Sequence, residues 1–394
     1  MKRYASVTFL FLLLVHLSGA PILSAQTDPI DRYIQAEMKS RMIPGLALVV
    51  IKNGEVVKIK GYGFANLEHD VPATPDTVFE LASVTKQFTA TAIMALVEEG
   101  KIKLDDPINR YLPSSPENWK AITVRHLLTH TAGLAGMWAG FEALHQDGGR
   151  TDLTTAQMFE AATKDPMSFT PGDRWQYSNV GYFLLGMIIE KASGRSYRDF
   201  LTDRFFGPLA MTSTSVPDQW TILKNRAAGY TLRDGELINI RRVTQVELPS
   251  DYGIFSTVKD LVKWDNALAT GKVVKPSSLE QTWTPVKLNG GSSFPYGFGW
   301  FFDESRGHRI ITHTGVTGTE YTRFPDDQLE KRLQELRSFT FLACDEIKGR
   351  VLERFGAAVS RACYYKMVAG SETRYYTFAL TSDDKVADFW SSTE

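Results

Sequence analysis

Hydrophobic and polar positions change their period several times along the chain, and each change marks an element. Lys2 and Arg3 open it, Val7 to Leu17 is nearly all apolar, and small residues follow, among them Ser18, Gly19, Ala20, Ser24 and Ala25. That layout predicts a secretory leader over residues 1–25, with an apolar run too short to span a bilayer. Ile30, Ile34 and Met38 then recur at four-residue spacing and predict a helix over 28–41. Leu46 to Ile51 is an apolar run that predicts a buried strand. Asn53-Gly54 follows, a strong hairpin signal, and Glu55 to Lys60 alternates polar with apolar.

After a loop at Pro72–Pro75, Phe88 to Val97 is apolar nearly all round, which predicts a buried helix closed by Gly100. Ile122 to Leu128 reads as a further helical piece, and residues 131–151 as a Gly-rich surface loop. Tyr182 to Glu190, closed by Gly194, and Asp260 to Leu268 complete the helices. The pattern then turns to strands: Gly297 to Phe302 and Arg309 to Thr314 around a turn at Gly307, then Thr319 to Phe324. Strands at both ends with helices between predict an α/β fold, an α+β sandwich. Its antiparallel sheet is formed from both chain ends and flanked by helices, beside a mostly helical block.

Beyond Pro325 the pattern changes. Asp326 to Arg337 is charged, with Leu329, Leu333 and Leu336 at helical spacing. Ser338 to Ala343 reads as a strand, Val351 to Val359 as a helix, and Arg374 to Leu380 with Lys385 to Trp390 as a hairpin around Asp383-Asp384. The expected organisation is therefore a leader over 1–25, a main domain over 26–325 and a divergent segment over 326–394, which an appended small domain would explain.

Composition narrows the function classes. The 394 residues are 43% hydrophobic and 23% charged, with a net charge of −1. This gives no electrostatic case for nucleic acid or an anionic membrane surface. The two cysteines, Cys344 and Cys363, form no C-x-x-C motif and no disulfide framework, although an exported protein can pair them. No metal site is expected: His126 and His130 have the spacing of a zinc helix, but no Glu follows His126.

The chemistry concentrates in three short segments. In Ser83-Val84-Thr85-Lys86 a hydroxyl and an amine lie one helical turn apart, at the start of the apolar helix. Helix N-termini also offer backbone N–H groups and a positive dipole end, which suit a serine nucleophile and the oxyanion it creates. Tyr177-Ser178-Asn179 places a phenol and a carboxamide two residues apart; the Lys86 cation is expected to favour the phenolate. His313-Thr314-Gly315 ends a predicted strand. There Gly315 lets a substrate lie close, Val316 N–H joins Ser83 N–H as an oxyanion donor, and His313 offers a donor, and a cation when protonated, facing the tyrosine.

Taken together, the three segments resemble the serine β-lactamase and penicillin-binding-protein superfamily. The likeness is to its class C β-lactamase branch, with D-alanyl-D-alanine carboxypeptidase and esterase relatives, in which S-x-x-K, Y-x-N and K-T-G or H-T-G recur in this order. The likeness extends over about residues 28 to 325 and includes Thr123 to Leu134, Pro171 to Tyr182, Phe206 to Thr212 and Gly253 to Thr257. His130-Thr-Ala-Gly133 mimics the third motif but falls in one of these other segments, so it reads as structural.

The resemblance implies that Ser83 is acylated, that Tyr177 acts as general base with Lys86, and that Asn179 binds the substrate amide. His313 would then stand where true β-lactamases carry a lysine that binds carboxylate. It implies no cofactor, and a small-molecule or peptide substrate. The function expected is that of a periplasmic or secreted serine hydrolase working through an acyl-enzyme on an ester, a D-amino-acid peptide or a β-lactam. The competing reading is a catalytically silent, penicillin-binding-like scaffold. Oligomeric state is left open.

Overall fold

The computed structural model describes residues 28–134, 151–218, 220–240, 244–305, 308–325, 336–346, 359–369, 372–381 and 386–393. The leader expected over 1–25, most of the Gly-rich loop over 131–151 and most of the two helices expected over 326–337 and 351–359 lie outside these residues. Leu336 and Val359, expected at helical positions, open strands instead.

Helix α1, Pro29–Ser40, starts where Asp28 accepts from Ile30 N–H and where Pro29 fits a first-turn position that has no N–H to satisfy. It lies against the hairpin of β1 (Gly45–Lys52) and β2 (Glu55–Asn66), with Tyr62 Oη donating to Asp31 at 2.6 Å. Asn53 and Gly54 both adopt positive φ, +50° and +80°, as the two-residue turn requires.

Helix α2, Thr85–Glu98, is the centre of the core: every residue from Thr85 to Leu96 is buried. Phe88 stacks on Trp264 at a centroid distance of 4.1 Å, and Trp264 Nε1 donates to Gln87 at 3.0 Å. The α2 core is completed by α3 (Val124–Leu128), which packs on α4 (Asn179–Ser193), by α4 itself, which packs on α2, and by α5 (Val258–Ala269), which carries Trp264. Helix α4 ends at Gly194 in the left-handed region, as the sequence implied. At Gly186, α4 comes so close to Ser250 that a Cβ there would lie 2.2 Å from the Ser250 hydroxyl.

The C-terminal part of the main domain supplies β3 (Phe301–Ser305), β4 (His308–Thr314) and β5 (Glu320–Arg323), an antiparallel meander. The strand expected from Gly297 starts later. Gly299, at φ +81°, brings the chain so close to α2 that a Cβ would sit 2.8 Å from Lys86 O. The mixed α/β class holds. Among the described residues, however, the two chain ends form separate three-stranded sheets rather than one ladder. Both rest on α5: Asn266 donates to Gly54 O in the β1–β2 turn, while its neighbour Asp265 accepts from Tyr321 on β5 at 2.8 Å.

Four further strands, β6 (Leu336–Glu346), β7 (Val359–Ala369), β8 (Glu372–Thr381) and β9 (Val386–Thr393), form an antiparallel meander of their own. The β8–β9 pair matches the expected hairpin, whereas β7 was not foreseen. Cys344 and Cys363 are register partners across β6 and β7. No helix among the described residues is long and apolar enough to cross a membrane.

Since Phe88 is fully buried between α5 and the α2 core, Phe88→Ala is expected to destabilise the fold by about 3–5 kcal/mol. Denaturant unfolding of parent and variant reads this directly. A loss below about 1 kcal/mol would mean that α2 is not the packing centre.

Candidate active site

Ser83 sits in a short 3₁₀ turn, Ala82–Val84, that runs directly into α2. Ala82, the residue before it, is held at φ +45°, a region that side-chain-bearing residues avoid. The turn is tied on two sides. Leu81 N–H donates to Ile254 O at 2.8 Å, and Ile254 N–H donates to Thr85 Oγ1 at 3.1 Å. From the other side, Thr317 and Thr319 each donate a hydroxyl to Glu80 O at 2.9 Å.

Lys86 lies one turn into α2 with its side chain wholly buried, and its ammonium meets three acceptors. These are Ser83 Oγ at 3.2 Å, Asn179 Oδ1 at 2.9 Å and Asp251 O at 2.9 Å. The meeting that the i, i+3 spacing predicted therefore takes place. Two of the three acceptors are carbonyl oxygens with no proton to give. Only the Ser83 hydroxyl can donate back, so a neutral Lys86 would point its lone pair at that proton.

Asn179 opens α4, and the Ser178 hydroxyl caps the helix by accepting from Gly181 N–H. Just before it, Tyr177 hydrogen-bonds the Ser83 side chain, and its ring centre lies 4.9 Å from Lys86 Nζ. Four of the expected residues, Ser83, Lys86, Tyr177 and Asn179, thus meet in one cluster.

Burial works against the expected phenolate. Burial pushes the Tyr177 phenol well above its ordinary range, and the Ser83 hydrogen bond only partly offsets this. Burial acts on Lys86 the opposite way and draws the ammonium down from 10.5 to about 8; the charge of Asp251 partly opposes the shift. The Asp251 carboxyl, also buried, is pushed up by the same loss of solvent. At neutral pH the group nearest to losing its proton is Lys86, not Tyr177.

The third segment arrives on β4. A Cβ at Gly315 would lie 2.5 Å from Leu81 O, so the end of the strand packs directly on the Ser83 turn. Thr314 and Val316 are exposed there. Val316 N–H makes no hydrogen bond among the described residues, and Ser83 N–H lies in a first helical turn, where such groups have no intrahelical acceptor. Both expected oxyanion donors stay open to a ligand.

His313 departs from expectation. Only 2% exposed, it spends both ring nitrogens inside the protein: Nδ1 donates to Thr314 O at 2.8 Å, and Nε2 faces Tyr296 Oη at 3.3 Å. Burial and the neighbouring Lys86 hold its pKa down, at about 3. It offers the tyrosine neither a cation nor a free N–H.

Three residues of the cluster carry no motif: Asp251, His130 and Tyr296. His130, taken as structural, touches the Tyr177 ring at 4.4 Å between centroids. The other half of the zinc-like pair, His126, accepts from Thr123 N–H in the cap of α3.

Residues 30–330 match a family model described as Beta-lactamase. Penicillin-binding protein 4* of Bacillus subtilis (strain 168) is 33% identical over 287 residues, which make up 68% of this chain and 62% of that protein. The matched region thus spans less than two thirds of that relative's length. The octameric penicillin-binding protein homologue from Pyrococcus abyssi superposes with a TM-score of 0.66 at 26% identity, over 92% of this chain and 89% of that one. The D-amino acid amidase from Ochrobactrum anthropi SV3, complexed with L-phenylalanine amide, gives 0.61 at 26% identity, over 74% and 85%.

If the neutral Lys86 amine takes the Ser83 proton, reactivity must rise with pH until the amine is deprotonated. Labelling of Ser83 by a fluorophosphonate should increase about tenfold from pH 6 to 7 and level off above about 8. Lys86→Arg, which keeps its charge, should label at the background rate. A rate that is flat from pH 6 to 8, or retained in the arginine variant, would remove Lys86 from the role of base.

Proposed function

The chain belongs to the beta-lactamase family as a serine hydrolase of that fold, and from that premise we propose that it is an exported hydrolase acylated on Ser83. The observation that carries this reading is the Lys86 ammonium, buried and bonded to Ser83 Oγ at 3.2 Å. In the proposed reaction Lys86 takes the hydroxyl proton as Ser83 attacks the acyl carbon. That proton then passes from the Lys86 ammonium by way of the Tyr177 phenol, itself bonded to Ser83, to the leaving group. Asn179 orients the acyl chain, and the Ser83 and Val316 N–H groups bind the oxyanion. Water then releases the acyl group by the reverse route.

The same contacts support an active enzyme over a silent scaffold, because a binding protein gains nothing from a desolvated amine beside a serine. For the substrate we favour a neutral ester or small amide over an anionic β-lactam. The D-amino acid amidase among the structural relatives supports a D-amino-acid amide as one member of that class. The supporting observation is His313, which holds no charge at neutral pH and has no free N–H with which to bind a carboxylate. Export rests on the pattern of residues 1–25.

Ser83→Ala should lower turnover by several orders of magnitude while leaving thermal unfolding unchanged. Activity within about tenfold of the parent would misassign the nucleophile. For the substrate, kcat/KM is measured on a short-chain p-nitrophenyl ester and on a chromogenic cephalosporin. His313→Lys should move the ratio toward the cephalosporin. An unmoved ratio, or a parent acting on the cephalosporin near about 10⁸ M⁻¹s⁻¹, would refute the preference. N-terminal sequencing of the mature protein should begin near Gln26; a cytoplasmic product that retains Met1 would refute export.

A further inference from the structure

We propose that His130 is a positioning residue for the Ser83 chemistry. Through Tyr296 it ties the loop carrying Tyr177 to the strand carrying His313. The proposal rests on the reading of Ser83 as nucleophile only for its effect on rate.

The hydrogen bonds fix where each imidazole carries its proton. Ser178 N–H can only donate, and His130 Nδ1 lies 3.1 Å from it, so Nδ1 is bare. The proton of the neutral ring is then on Nε2, which donates to Tyr296 Oη at 3.0 Å. At the far end, Thr314 O can only accept, so His313 carries its proton on Nδ1 and leaves Nε2 bare. The Tyr296 hydroxyl proton then faces His313 Nε2 at 3.3 Å, with the Tyr182 side chain as its other partner. The chain runs in one direction, from Ser178 through His130, Tyr296 and His313 to Thr314, and every ring nitrogen in it has a partner.

A second proton on either imidazole breaks the order. On His130 it would point Nδ1–H at an N–H donor. On His313 it would set Nε2–H against the Tyr296 hydroxyl, which could then no longer donate to that ring. The ionisable groups around the two rings also oppose charge: Lys86 is the nearest cation, and Tyr177, Tyr182 and Tyr296 are held protonated by burial. The Asp251 carboxyl acts on Lys86 through the attraction of opposite charges, while its backbone O takes the hydrogen bond.

Packing alone does not account for this site. His130 is 1% exposed and holds a φ of +58°, a backbone state that residues with a side chain adopt only at a cost. Its backbone O also accepts from Gln176 N–H at 2.9 Å, so both ends of the residue grip the Tyr177 loop. A buried polar chain is expensive unless it is complete, and this one is complete. What it joins are the two segments that must stay in register across Ser83.

The test uses the full-length parent with Tyr296→Phe and His130→Asn. Asparagine tolerates positive φ, so the second variant keeps the backbone while losing the reach to Tyr296. Long-range ¹H–¹⁵N spectra of the histidine rings should show His130 as the Nε2–H tautomer and His313 as the Nδ1–H tautomer, both unchanged from pH 5 to 8. Each variant should label Ser83 about 10²-fold more slowly with the fluorophosphonate, with KI little changed and a cooperative unfolding transition retained. The opposite tautomers, or either ring titrating above pH 6 in the parent, would overturn the relay. Labelling within about threefold of the parent in a folded variant would overturn the positioning role. A parent that does not label at all refutes the nucleophile instead, and the ring spectra still decide the relay on their own.

Discussion

The burial of one amine organises this protein. Lys86 enters the core on α2, loses its solvent, and is left with Ser83 Oγ, Asn179 Oδ1 and Asp251 O as its surroundings. A charge placed there is tolerated only because three acceptors are in reach, and each comes from a different part of the chain. The neighbouring packing serves that arrangement. Thr85 and Thr89, on one face of α2, bond the segment from Ser250 to Ile254 and so fix the carbonyl of Asp251. Ser250 in turn donates to Tyr182 O on α4, the helix that begins with Asn179.

The strained positions follow the same logic. Ala82 at φ +45° turns the chain so that Ser83 meets Lys86, and His130 at φ +58° turns its ring into the space beside Tyr177. Neither is a glycine, and neither lies at a tight surface turn where such a conformation would be routine. Each borders the reactive cluster, where backbone strain is commonly stored.

What the sequence made legible is local. Ser83 and Lys86 meet because residues three apart share a helix face, and Tyr177 and Asn179 share a cleft because they stand two positions apart at the start of α4. The α1 helix, the Asn53-Gly54 hairpin and the Gly194 cap were readable for the same reason. The rest depends on tertiary contact. Asp251, His130 and Tyr296 lie as many as 166 positions from their partners and carry no periodic signal of their own. The one clue was His130-Thr-Ala-Gly133, which was read as a look-alike of the third motif. Burial also reversed two expectations: an exposed tyrosine beside a cation would favour the phenolate and an exposed histidine would titrate near neutrality, whereas at Tyr177 and His313 the loss of water outweighs the neighbouring groups. The start of β3 was misplaced because Gly299 serves a close approach to Lys86 O rather than a strand.

The low proton affinity of Lys86 exists only in the finished fold. In an unfolded chain the amine is solvated and keeps its ordinary value of 10.5, so Ser83 is then a common alcohol with no base beside it. The groups that complete the site come from positions near 83, 179, 251 and 313, and no stretch of nascent chain brings them together. The reactivity proposed for Ser83 is therefore absent while the chain is still being made. Its reactivity appears in the same cooperative step that closes the core over α2, and fades in the same step when that core opens.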